Sequence, residues 1–185
     1  IDPGFDTHNL ATFEINPKRL GLFGDARLVF YQELQERLGK LKGVQSVAIA
    51  SNPLLGPDRV RRTTYIDEKT KLIPRLTMVS TGYFETADIL ILRGRDFTTA
   101  DREPSALVAV INETMARRYY GGTDRALGAK LRLFGDAAET TIVGVARDVA
   151  YARLGAEAEP CLYVPLRQGV PSAATVLVRG REERA

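Results

Sequence analysis

Six carboxylates stand near the ends of expected elements: Asp96, Asp101, Glu113, Asp148, Glu157 and Glu159. Carboxylates are the only groups in the chain that could supply an acid and a base, and a carboxylate pair can hydrolyse a bond when burial drives two pKa values apart. Asp148 is the most prominent, because it follows the apolar run "TTIVGVAR" and precedes Tyr151. One carboxylate is not a mechanism, and the competing role for all six is helix capping and surface ion pairing. Other catalytic chemistry fails on residue supply. His8 is the only histidine and lies in a polar N-terminal stretch, so a Ser-His-Asp arrangement would rest on it alone, and no Gly-x-Ser-x-Gly elbow is present. Cys161 is the only cysteine, which rules out an intrachain disulfide or a thiolate cluster; between Pro160 and "LYVPL" it reads as a small buried hydrophobe. No histidine pair has metal-ligand spacing. In "GGTDRALGAK", Lys130 opens an alternating strand instead of following a phosphate loop into a helix. The expectation is therefore no catalytic residue, no cofactor and no metal.

The stretch "VSTGYFETADILILRGRDFTTAD" (79–101) poses a separate choice. Arg95 and Asp96 could hold an anionic ligand. Gly94 beside them points instead to a tight bend, with Arg95 bonding carbonyls or Asp96 locking the turn, and Tyr83 and Phe84 serve as core anchors. The net charge of +3, from 26 basic and 23 acidic residues, is spread without a basic run. Arg61-Arg62 and Arg117-Arg118 lack the interleaved aromatics of a stacking platform, so nucleic acid is not an expected partner. No apolar run approaches the ~18 residues of a spanning helix. The abrupt "IDPGFD" and "REERA" ends suggest a piece of a longer protein.

The elements that must position these residues begin with a strand, "LATFEI" (10–15). A helix over 25–43 follows, with Asp25 as N-cap and a stripe of Leu28, Tyr31, Leu34, Leu38 and Leu41; "VQSVAIA" (44–50) is then a strand. Strand, helix, strand is the first half of a split βαβ unit. A Pro/Gly-punctuated loop covers 51–62. Strands are expected at "TTYID", "RLTMVS", "LVAVI", "AKLRLF", "TTIVGVARDV", "CLYVPL" and "TVLVR", with a helical turn at "YFETAD" and a helix "ETMARRYY" capped by Asn112 and ended by Gly121-Gly122. At 185 residues and 44% hydrophobic content, the chain can bury a real core.

Four motifs in fixed order carry a family resemblance: "YQELQERLGKLKGVQSVAIASNPLLG", "VSTGYFETADILILRGRDFTTAD", "VAVINETMARRYYGG" and "TIVGVARDVAYARLGAEAEPCLYVPL". Together they resemble the extracytoplasmic domain of MacB-type, FtsX-like ABC transporter permeases, above all the acidobacterial-type ones with a duplicated permease unit. The resemblance implies an α+β fold in two lobes. A porter-like split βαβ lobe would comprise 1–52 plus 161–185, truncated at its C-terminal side, and an inserted mixed α/β, Sabre-like lobe would comprise 53–160. It also implies an inner-membrane protein whose domain lies in the periplasm and moves with its own transmembrane helices. The driving partner would be a cytoplasmic ABC ATPase, and a second copy of the permease domain a possible neighbour. The domain itself would be no enzyme. Two rival functions remain, a periplasmic hydrolase using Asp148 with a second carboxylate and a free-standing interaction module. On the transporter reading, residues 175–179 should pair with 10–15 or 44–50, the sheet should keep an exposed edge, and Ile1 and Ala185 should leave on one side.

Overall fold

The computed structural model describes residues 4–101, 107–151 and 157–181; Ile1 and Ala185 lie outside them. The first three strands are β1 (Leu10–Ile15), β2 (Val44–Ala50) and β11 (Ala174–Gly180), with α1 (Asp25–Gly39) between β1 and β2. β11 lies in the middle, antiparallel to both: Leu10 pairs with Arg179, and Ala50 with Thr175. The C-terminal strand thus joins the N-terminal unit, as the split βαβ reading requires. β1 forms the outer edge, and Phe13 on it is 42% exposed.

The ladder continues beyond these three strands through one pair only, Ala50 against Val79 of β5 (Arg75–Val79). Beyond it lie β10 (Cys161–Pro165), β7 (Leu107–Asn112), β9 (Thr140–Ala146), β8 (Lys130–Leu133), β3 (Thr64–Tyr65) and β4 (Lys71–Leu72). The β5–β10 and β7–β9 pairs are parallel and the others antiparallel, while β6 (Ile91–Gly94) shares the outer edge of β9 with β8. The fold is thus a mixed α/β one with a large mixed sheet and, among the described residues, four α-helices, the other three being α2 (Tyr83–Ala87), α3 (Glu113–Tyr120) and α4 (Thr123–Ala126).

Several expected boundaries shift for physical reasons. The first helix stops at Gly39 and the chain turns through Lys40 to Gly43, which leaves Leu41 55% exposed instead of completing the stripe. Its N-cap is Gly24, and Asp25 sits in the first turn, where a negative charge favours the helix dipole. "TTYID" shortens to two residues paired with the unforeseen β4, and the apolar run before Gly94 is strand β6 because it lies along β9. The first helix packs Leu28, Tyr31, Leu34 and Leu38 on β2 and β11 in one apolar cluster. A second cluster joins Ala48, Ala50 and Leu177 to Tyr83, Phe84, Phe97 and Tyr163, and a third lies under α3.

Candidate coupling site

Because β1 and β11 run antiparallel, the segment leading into β1 and the end of β11 meet at one corner of the sheet. Gly180 N–H donates to the Asn9 carbonyl at 2.7 Å, and Arg181 N–H to the Gly43 carbonyl at 2.8 Å. Arg179 itself is only 8% exposed. Its Nε donates to the Thr86 carbonyl at 2.8 Å, Nη1 to the His8 carbonyl at 2.6 Å, and Nη2 to the Asp6 carbonyl at 2.9 Å. Nη1 also reaches the Asp6 carboxylate at 3.2 Å. A planar guanidinium with five donors suits such a site, because its fork can serve several fixed carbonyls at once and its charge persists at any physiological pH. The Thr86 carbonyl belongs to the last turn of α2, where carbonyls lack intrahelical partners.

The incoming segment is held along its length. Asp6 N–H donates to the Ala87 carbonyl at 3.2 Å. The His8 amide hydrogen bond, with the Arg179 charge, holds the Asp6 carboxyl below the usual range. Phe5 is buried in the second apolar cluster. Gly4 adopts φ +86°, and a Cβ there would lie 2.2 Å from the Asp148 carbonyl oxygen, so only glycine fits. One arginine therefore joins the incoming segment, the outgoing strand and α2, and Phe5 ties all three to the core.

The residues expected to do chemistry are placed elsewhere and are engaged. Asp148 accepts from Thr114 N at 2.9 Å, Thr114 Oγ1 at 2.7 Å and Asn112 Nδ2 at 2.6 Å, and Arg117 Nη2 stands 3.5 Å away. It anchors the N-terminus of α3, where Asn112 Oδ1 accepts from Met115 N at 3.1 Å. Glu113 pairs with Arg117, Glu159 with Arg61, and Glu157 is exposed. Asp101 is 8% exposed and holds Arg95 in a two-pronged pair, Nη1 to Oδ2 at 2.8 Å and Nη2 to Oδ1 at 2.9 Å. The lock on that corner is thus Asp101, not Asp96, which accepts from the Phe97 amide while burial raises its pKa. Gly94 makes the bend at φ +73°, with a Cβ position 2.2 Å from the Val143 carbonyl oxygen.

Burial pushes the Cys161 thiol up to about 12. The His8 side chain is 87% exposed beside Asp6. Lys130 pairs with Glu139, and Arg62 with Asp136. Among the described residues there is no group of three metal-ligating side chains, and no helix is long and apolar enough to cross a membrane. Tyr83 and Phe84 are buried core anchors, stacked edge-on 5.4 Å apart. Arg179 escaped sequence reading because its partners lie 93 to 173 residues away; its one local signal is a cation closing an apolar strand.

The chain is similar in fold to two solved domains. Against the periplasmic region of MacB from Actinobacillus actinomycetemcomitans the TM-score is 0.64 at 16% identity, over 98% of this chain and 78% of that one. Against the extracellular domain of the noncanonic ABC-type transporter YknZ from Gram-positive bacteria it is 0.61 at 19% identity, over 93% of this chain and 84% of that one. No curated protein matches. Residues 5–184, which include the whole Arg179 corner, match the family described as the MacB-like periplasmic core domain, and the chain belongs to that family.

Proposed function

We propose that this domain is the extracytoplasmic coupling element of an ABC transporter permease. ATP hydrolysis by a cytoplasmic ABC ATPase moves the permease's own transmembrane helices in the inner membrane, and the domain passes that motion to a substrate or partner in the periplasm. The observation that carries this reading is the Arg179 corner. A domain driven from the bilayer must receive force through its flanking segments, and here both are fastened to one another, to α2 and to the core. Non-covalent force transfer needs no nucleophile. The engagement of Asp148 as a helix anchor favours this role over hydrolysis.

The chain divides into a porter-like lobe, 1–52 plus 161–185, and an inserted Sabre-like lobe, 53–160. The single-pair junction between β2 and β5 supports the seam, while β10 is attached through its ladders to β5 and β7 of the insert. A second copy of the permease domain is its expected neighbour. The test is a distance measurement in the full permease with its ATPase, between a spin label at exposed Phe134 and one on a membrane helix. The expected result is a shift between nucleotide-free and ATP-bound states; an identical distribution in both would overturn the coupling role.

A further inference from the structure

The junction between β2 and β5 is a single-pair ladder whose ends are closed by side chains. On either side of the Ala50–Val79 pair, one backbone bond survives: Ser51 N donates to the Met78 carbonyl and Ser80 N to the Ile49 carbonyl, each at 2.9 Å. In a continuing antiparallel ladder the return amides would donate to carbonyls. Here they donate to side chains. Met78 N donates to Ser51 Oγ and Ile49 N to Ser80 Oγ, again at 2.9 Å. Ser51 and Ser80 are 0% and 6% exposed, so each hydroxyl satisfies an amide that would otherwise be buried without a partner. The two strands cross at a point, and a matched pair of serines closes the crossing.

Beside the crossing, buried Asn52 donates Nδ2 to the Leu76 carbonyl of β5 at 2.7 Å, which fixes the crossing point; further out the contacts are looser. On one face, α2 belongs with β1, β2 and β11 through Arg179. It meets the sheet of β5, β10, β7 and β9 and the loop after β6 through aromatic rings, Tyr83 and Phe84 against Tyr163 at centroid distances of 6.1 and 5.0 Å, and Phe84 against Phe97 at 6.1 Å. On the other face lies a cleft of about 200 Å³, walled by Leu28, Gln32 and Gln35 of α1 and opposite them by Phe97 and Thr98 and by Leu166 just after β10. Gln35 Nε2 in its wall donates to the Val47 carbonyl of its own body at 2.8 Å and to the Thr81 carbonyl after β5 at 3.0 Å, and outside the cleft a second strap, Arg59, joins Thr175 and Glu14. Arg59 and Glu14 are 25% and 72% exposed, which makes that strap a weak latch.

We propose that the Ser51–Ser80 crossing is a pivot, about which the body made of β1, α1, β2, β11 and α2 swings against the sheet of β5, β10, β7 and β9, closing or opening the cleft under α1. This deepens the coupling role and rests on it: the corner delivers force to one body, and the pivot turns it into relative motion of two. Gly82, at φ +79°, turns the chain between β5 and α2.

The test uses the full permease with its ATPase and two label pairs. Cys161 is buried and takes no label. Glu33 on α1 with Phe134 spans the pivot, and Glu33 with Thr12 on β1 lies within one body. Between nucleotide-free and ATP-bound states, the spanning pair shifts and the control pair does not. A Ser51→Ala/Ser80→Ala variant broadens the spanning distribution alone; if it does not fold, the wild-type comparison still decides. If the spanning pair is unchanged while the distance from Phe134 to the membrane helix shifts, the domain moves as one block. The pivot is then wrong and the coupling role stands.

Discussion

At the residue scale, the side chains that looked chemical are structural, and their electrostatics say how strongly. The Arg95 pair and the Thr98 amide hold the Asp101 carboxyl below its usual pKa. A folded-state pKa below the unfolded value stabilises the protein above the unfolded pKa of about 4, and that contribution fades as pH falls through the lower folded value. Wild-type melting temperature should therefore drop more steeply than that of Asp101→Asn between pH 5 and pH 2, roughly the interval over which a carboxylate is protonated; parallel curves would contradict it. Arg95→Ala should cost about 1–3 kcal/mol by stranding that carboxylate, read by chemical denaturation. Cys161, with its thiol raised to about 12, should resist alkylation at pH 8 in the folded domain and react only in denaturant. Sequence alone showed that Cys161 would be buried and that Arg95 marks a corner. It could not choose Asp101 over Asp96, because loop geometry decides which carboxylate faces the guanidinium.

At the element scale, pattern was legible wherever local periodicity and burial agreed. β2, β10, β11 and the Asn112 cap of α3 appear as expected because each combines β-prone apolar residues, or a capping side chain, with a clear stop. β4 and β6 were missed since pairing, not composition, makes them strands. Asp148 shows the same limit: only the parallel register of β7 with β9 places it over the first turn of α3. Asp148→Asn should lower stability by about 1–2 kcal/mol through loss of a charged acceptor at that helix end, measured by denaturant midpoint; an unchanged midpoint would show that the anchor is dispensable. Gly94→Ala should cost more than about 1 kcal/mol, because φ is positive and the added methyl meets a carbonyl.

At the scale of the whole molecule, the central claim is that the Arg179 corner couples the flanking segments to the domain. No local pattern disclosed it, since a strand-ending arginine becomes a clamp only when the sheet order β1-β11-β2 brings Asp6, His8 and Thr86 around it. The same order leaves β1 as an edge, in keeping with the exposed sheet edge expected from the sequence. The decisive measurement is the nucleotide-dependent distance from Phe134 to a membrane helix in the full permease carrying Arg179→Leu, alongside its ATP turnover. The Arg179→Lys variant, which keeps the charge but not the fork, serves as the graded comparison. The account predicts that Arg179→Leu retains ATP turnover while the nucleotide-dependent shift is lost, with Arg179→Lys between it and wild type. A full wild-type shift in Arg179→Leu would contradict it.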